Sequence, residues 1–251
     1  MMLRLPLLTA LLLLPAVAAA QSVDGLYISG ETGVNFAGSP TSAHDTTKVD
    51  TDPGPLGVVA LGWGFGNGLR AEIEGSYRSN DVDGISTRRG NGLMEPLTNA
   101  GGTLATSAVM ANVVYDIPVR DLGLPVQPYV GAGLGYGWLQ FNDVGGNGRA
   151  QFPVPGASVV SSPDAVRFGD AGAFAYQAIA GLSVPLPILH NLDATLEYRF
   201  FGTARADIPV TRVATGGNTV NGVTPSLSTR NGFEGHNDAL LVGLRYSFGT
   251  L

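Results

Sequence analysis

Large apolar residues alternate with small or charged ones along most of this chain. Near the C-terminus, Asn237 to Phe248 reads NDALLVGLRYSF. Successive side chains of an extended strand point to opposite faces. Leu240, Val242, Leu244, Tyr246 and Phe248 therefore share one face, with Ala239, Gly243, Arg245 and Ser247 on the other. A third-strand candidate, Leu69–Arg78, is cleaner still. Leu69, Ala71, Ile73, Gly75 and Tyr77 alternate with Arg70, Glu72, Glu74, Ser76 and Arg78. No soluble core accepts the second set, whereas a water-filled or self-paired lumen does.

The same period predicts eight strands of about ten residues, the length a tilted strand needs to cross a bilayer. They are placed at about 25–36, 55–65, 69–78, 104–117, 126–140, 173–184, 192–201 and 237–248. Gly66-Asn67-Gly68 reads as a tight hairpin, because Asn and Gly tolerate positive φ. Pro185 and Pro187 end the sixth strand, since proline cannot donate to a ladder. Links between the second and third, fourth and fifth, and sixth and seventh strands are short. The other four are long, at 37–54, 79–103, 141–172 and 202–236, and are rich in Gly, Ser, Thr, Asn and Pro. Alternation of short periplasmic turns with long extracellular loops is the habit of outer-membrane barrels. The fold expected is all-β: an eight-stranded antiparallel up-and-down transmembrane β-barrel over 21–251, with both termini in the periplasm.

Composition narrows the class. Residues 1–20 read as a signal peptide: Arg4, an apolar stretch from Leu5 to Val17, then Ala18-Ala19-Ala20 at the cleavage site. The chain has no Cys, which excludes a disulfide-stapled secreted fold. Charged residues are 14% of the chain, against about 25% in soluble domains. Loss of Arg4 with the leader takes the formal charge from −6 to −7, so nucleic acid is a poor partner.

The aromatics fall into two girdles under this topology. Outward Trp63, Phe65, Tyr115, Tyr246 and Phe248 lie at the periplasmic strand ends. Outward Phe36, Tyr77, Tyr136, Trp138, Tyr198 and Phe200 lie at the extracellular ends. Interfacial belts are what a bilayer selects. Tyr27 and Tyr129 point inward and belong to neither. The inward charges are Glu31, Arg70, Glu72, Glu74, Arg78, Asp116, Asp193, Glu197, Arg199 and Arg245. Eight strands leave a bore that side chains fill, so these groups must pair or be hydrated. Two readings stand. Either they form a salt-bridge plug, or re-pairing of Arg70, Arg199 or Arg245 among Glu72, Glu74 and Glu197 gates a narrow water path.

PYVGAGLGYGW (128–138), AYQAIAGL (175–182), ATLEYRFFGT (194–203) and NDALLVGLRYSFG (237–249), with GLYISGETGVNF in the first strand, resemble the small outer-membrane β-barrel family. That family includes the OmpA transmembrane domain and the opacity-type surface antigens. The resemblance implies an eight-stranded barrel, insertion by the barrel-assembly machinery and variable surface loops. Such chains usually finish on a terminal aromatic; here Gly249-Thr250-Leu251 follows Phe248. A cell-wall tether through a peptidoglycan-binding domain is not expected.

Chemistry candidates are few. His44 beside Asp45 and His236 near Asp238 lack any accompanying motif with a mechanism, and His190 falls in a periplasmic turn. Asp50-Thr51-Asp52 and Asp81-Val82-Asp83-Gly84 are fragments of calcium-loop patterns without the downstream bidentate Glu. The expected role is a non-enzymatic outer-membrane surface protein without cofactor. Its loops are available to host molecules, other cells or lipopolysaccharide, and a narrow gated channel for ions or small solutes is the alternative.

Overall fold

The computed structural model describes residues 23–38, 41–42, 47–88, 94–119, 126–152, 160–215 and 224–249. They form twelve strands: β1 (Asp24–Ala37), β2 (Thr41–Ser42), β3 (Thr47–Thr51), β4 (Gly54–Phe65), β5 (Leu69–Arg88), β6 (Met94–Pro96), β7 (Thr98–Asp116), β8 (Gln127–Phe152), β9 (Val160–Phe168), β10 (Ala171–Pro185), β11 (Leu192–Ala214) and β12 (Ser226–Gly249). All pairings are antiparallel.

Eight of these strands close a ring in the order β1-β4-β5-β7-β8-β10-β11-β12-β1. Around it Ile28 faces Leu61, then Ile73, Ala111, Leu134, Tyr176, Gly202 and His236. The Gly38 N–H donates to the His236 carbonyl at 2.9 Å. One circuit therefore climbs from 28 to 38, a stagger of ten residues. Closure with such a stagger tilts the strands by roughly 35–45° and leaves no unpaired edge.

The eight strands match those placed from the sequence, but five of them run further. β5, β7, β8, β11 and β12 continue well into the ranges 79–103, 141–172 and 202–236, which were expected to be loops. The range 37–54 also holds β2 and β3. These extensions close a second ring on top of the first: β12-β2-β3-β5-β7-β8-β9-β11-β12. The short strands β2, β3 and β9 stand above β1, β4 and β10. The molecule is a barrel of two storeys.

The two storeys have opposite polarity. In the lower one, outward side chains are apolar and inward ones largely polar: Ile73 is 60% exposed, while Glu74 is 1% exposed. In the upper one, Val49, Val82, Ile85, Leu97, Phe141, Val144, Val166, Phe168, Ile208, Val210 and Phe233 fill the interior as one cluster, and Asp81, Asp83, Asp207 and Arg167 face out. On β5 the reversal falls between Arg78 and Val82. Apolar side chains seek hydrocarbon where lipid surrounds the wall and seek each other where water does. The period of two that placed the strands therefore continues above the membrane with its sign reversed.

Small local devices hold the geometry. Gly66 and Gly68 have φ of 71° and 91°, as the tight β4–β5 turn requires. A Cβ on Gly181 would lie 2.3 Å from the Tyr129 ring, so glycine lets that ring lie flat across β10. Inside the lower storey, Leu56, Val58 and Leu241, none of them named as inward from the sequence, form an apolar cluster with Ala239, which was.

A charge put on the lipid-facing side should be costly only in the lower storey. Ile73→Arg should destabilise the folded barrel by about 2–4 kcal/mol, read as a shifted urea midpoint in the heat-modifiable gel assay. Ser228→Arg, on the upper storey, should leave that midpoint in place.

Candidate functional site

The lower lumen carries the chemistry. β5 contributes Arg70, Glu72, Glu74 and Arg78, each inward because the strand period is two and each at most 9% exposed. β11 faces them with Asp193, Glu197 and Arg199, β1 with Glu31, β7 with Asp116 and β12 with Arg245. All ten side chains therefore share one bore.

Arg199 is the hub. It pairs with Glu74 at 2.6 Å and Glu31 at 3.5 Å, and with Glu197, which also accepts from its Nε at 2.7 Å. Arg70 pairs with Asp116 at 3.0 Å and donates to the Tyr27 hydroxyl at 3.2 Å. That hydroxyl donates to Glu72 at 2.7 Å. Nearer the end of the barrel that carries the short turns, Arg245 binds Asp193 at 2.7 Å and the Ser183 hydroxyl at 3.0 Å.

Six carboxylates face four guanidiniums, so ion pairs alone do not satisfy this lumen. Neutral donors supply the difference. The Asn112 amide donates to Glu72 at 3.0 Å and Glu74 at 2.8 Å. Gln177 donates to Glu74 at 2.9 Å and to the Asn112 carbonyl oxygen at 2.7 Å. The Tyr129 hydroxyl donates to Glu197 at 3.1 Å, and Thr195 to Glu31 at 3.4 Å. Hydrogen bonds to ionised acceptors are about twice as strong as neutral ones. Tyr27 and Tyr129 thus bridge acid and base clusters, and the Arg70 guanidinium lies 5.4 Å and 5.1 Å from their ring centres.

Arg78 stands apart. It is 1% exposed, donates to Ser76 at 3.2 Å and makes no ion pair among the described residues. Its guanidinium lies 3.6 Å from the centre of the Phe201 ring, a contact worth about 2 kcal/mol when desolvated. Phe201, Met110, Ala108 and Ala175 pack together around it. This layer separates the charged lumen from the apolar upper core. A void of about 10 Å3 among Glu31, Glu72, Glu197, Arg70, Arg199 and Arg245 has room for about one water. Another of about 30 Å3 lies just above the Arg78 layer, among Leu104, Leu139, Phe141, Phe201, Ile208 and Phe233.

The girdle residues Phe36, Trp63, Phe65, Tyr77, Tyr115, Tyr136, Trp138, Tyr198 and Phe248 are exposed on the outer wall, with Phe200 and Tyr246 half-buried there. Phe174 and Tyr176 join the outer belt, and Phe174 had no place in the sequence reading. His236 stacks on Phe200 at 6.2 Å, and Asp238 accepts from the Tyr198 hydroxyl at 2.5 Å. His236 and Asp238 thus have separate partners. The Asp50–Asp52 and Asp81–Gly84 segments lie side by side, where Asp52 N–H donates to the Asp81 carbonyl at 2.9 Å. His44 lies outside the described residues.

Comparisons with known proteins agree with this architecture. The profile of the outer membrane protein beta-barrel domain matches residues 7–248. An outer membrane protein of Gluconacetobacter diazotrophicus is 32% identical over 94% of this chain. The chain spans 61% of that relative's length. The fold is similar to that of neisserial surface protein A (15% identity, TM-score 0.46, covering 91% of this chain and 100% of that one). It is likewise similar to OprG of Pseudomonas aeruginosa (14% identity, TM-score 0.43, covering 92% and 99%). The lipid-facing wall, the closed ring and the profile match place this chain in the outer-membrane-protein β-barrel domain family, an outer-membrane protein that crosses the bilayer with strands.

Proposed function

We propose that this chain is a sealed outer-membrane barrel whose upper storey is a rigid pedestal for surface interaction. In this reading residues 1–20 direct export and are removed, the barrel-assembly machinery inserts 21–251, and the chemistry is recognition rather than catalysis. The observation that carries it is the second closed ring. Crossing the membrane needs only the lower storey. The extensions of five strands, with β2, β3 and β9, build a further barrel with its own core. Its wall displays Arg149, Arg167, Arg205, Arg230, Asp81, Asp83, Asp207 and Glu234 to the medium. Loops positioned by a rigid scaffold are where binding function concentrates. Lipopolysaccharide sugars and the surfaces of other cells are the partners at that height.

The same storey supports a sealed rather than a conducting lumen. An ion leaving the charged lumen meets the buried Arg78–Phe201 layer and then an apolar core. Hydrophobic constrictions of this kind block ions by excluding water. The channel reading retains one supporting observation: a single cation, Arg199, serves three glutamates beside a void of about one water.

In planar bilayers the purified barrel should give no stepwise conductance, and Arg199→Gln should stay silent because the upper core remains; steps in the unmodified protein would make it a channel. Arg199→Gln should still lower stability by about 3–5 kcal/mol, since Glu31, Glu74 and Glu197 lose their shared cation. Serine at Arg167, Arg205 and Arg230 together should leave heat-modifiable mobility intact and change lipopolysaccharide co-purification or adhesion of expressing cells. Identical behaviour to the parent in both would sink the interaction reading.

A further inference from the structure

The turn between β10 and β11 is anomalous. Residues 186–191 read LPILHN, and Ile188 is 84% exposed and Leu189 52%. Lipid-facing side chains of the strands themselves reach 60% at Ile73, so Ile188 is more exposed than they are and Leu189 falls within their range. The β4–β5 turn on the same side of the barrel, Gly66-Asn67-Gly68, carries no apolar side chain. The 186–191 turn is also held in place. Leu186 N–H donates to the Leu192 carbonyl at 2.8 Å, and Ser247 N–H to the Asn191 carbonyl at 2.9 Å. Asn191 takes a φ of 65°, in the left-handed region that Asn tolerates better than most residues.

The periplasmic aromatic girdle has a gap at the same place. Its outward rings sit on β4 (Trp63, Phe65), β7 (Tyr115) and β12 (Tyr246, Phe248). The three consecutive strands β8, β10 and β11 carry no outward ring at their periplasmic ends; Tyr129, the aromatic available there, is turned into the lumen and is 4% exposed. The lipid-facing stripes of β10 and β11, through Leu182 and Leu192, converge on the turn that bears Ile188 and Leu189.

We propose that the 186–191 turn is a membrane anchor: Ile188 and Leu189 insert into the periplasmic leaflet and replace the missing sector of the aromatic girdle. The partner is phospholipid, and the surface is continuous with the barrel's lipid-facing wall. An exposed apolar pair held on an ordered turn beside that wall gains by burial in the acyl boundary. Without that burial, these side chains would stand in water next to a bilayer. The inference rests on the short turns facing the periplasm, as the proposed function does.

The chain has no Cys, so single cysteines at Ile188, Leu189 and Asn67 accept one environment-sensitive fluorophore each. The whole barrel is reconstituted in phosphatidylethanolamine–phosphatidylglycerol vesicles, with folding checked by heat-modifiable mobility. Probes at 188 and 189 should show blue-shifted emission, quenching by doxyl-labelled lipid and protection from iodide, with Asn67 water-like. Water-like emission and iodide quenching at 188 and 189 equal to Asn67 overturns the proposal. So does a blue shift that appears only on adding periplasmic extract, which would mark a protein partner. Topology is read separately by maleimide labelling of intact cells. Labelling of Ser228→Cys and none of Ile188→Cys supports it, while labelling of Ile188→Cys from outside overturns both the anchor and the topology beneath it.

Discussion

Hydrocarbon cannot hydrogen-bond, and this dictates the lower half of the molecule. Every backbone polar group within the bilayer must be met inside the protein, so the sheet must close, and its outer face must be apolar. With large side chains spent outward, the alternate positions inherit what remains: glycine, alanine and polar groups. Those positions enclose a bore that eight strands make only as wide as its side chains. The charged lumen is thus a consequence of the lipid contact. Above the outer aromatic belt the solvent changes and the same logic runs in reverse. Water now bathes the wall, and Ile85, Phe141, Phe168, Ile208 and Phe233 turn in to make an ordinary core.

Burying ten ionisable groups in a narrow bore is tolerable only because almost all of them are met. Ion pairs handle Arg70, Arg199 and Arg245. The acid surplus is handled by Asn112, Gln177, Tyr27 and Tyr129. Removing one member of such a network leaves the others buried and uncompensated, so the network penalises rearrangement. Arg78 shows the other solution available to a buried cation, an aromatic face in place of an acid. Five strands run without a break from this network into the upper storey.

Strand positions and side-chain facing were legible because the period of two is a direct geometric consequence of extended backbone. Leu69–Arg78 states it without interruption, and Asn237–Phe248 with one break at Leu241. The inward placement of Tyr27 and Tyr129 followed from the same count. What was not legible was the upper storey. Its strands alternate too, as Ile208 and Val210 show. But their outward partners are Asp, Thr, Ser and Arg, and the composition is that of loops. Long polar connections are an ordinary expectation for this class of barrel, and that expectation outweighed a weaker alternation. Lumen partners were illegible for a different reason. Register between non-adjacent strands such as β5 and β11 is fixed by the ten-residue stagger, which no single strand carries. Nor does the sequence say that Phe201 would meet Arg78, which simply reads as inward.

The handover between storeys is where the fold is most exposed to failure. β4 starts at Gly54 and β10 at Ala171, so above those levels β5 and β8 would each have an unpaired edge. Backbone alone does not close both seams. At the first, the Asn80 amide donates to the carbonyls of Asn35 and Asp52 at 3.2 Å and 2.9 Å, and Asn35 donates back to the Asn80 side chain at 2.6 Å. At the second, the Phe141 N–H donates to the Asp170 carboxylate at 2.9 Å, while Gly169 N–H donates to the Pro209 carbonyl at 2.8 Å. Both seams lie where the wall meets the lipid–water boundary and where an unsatisfied backbone group is expensive. Asn35, Asn80 and Asp170 are thus polar residues whose work is neither in the lumen ion-pair network nor on the proposed recognition surface. They let one continuous hydrogen-bonded wall change its neighbours, and so its polarity, without opening an edge.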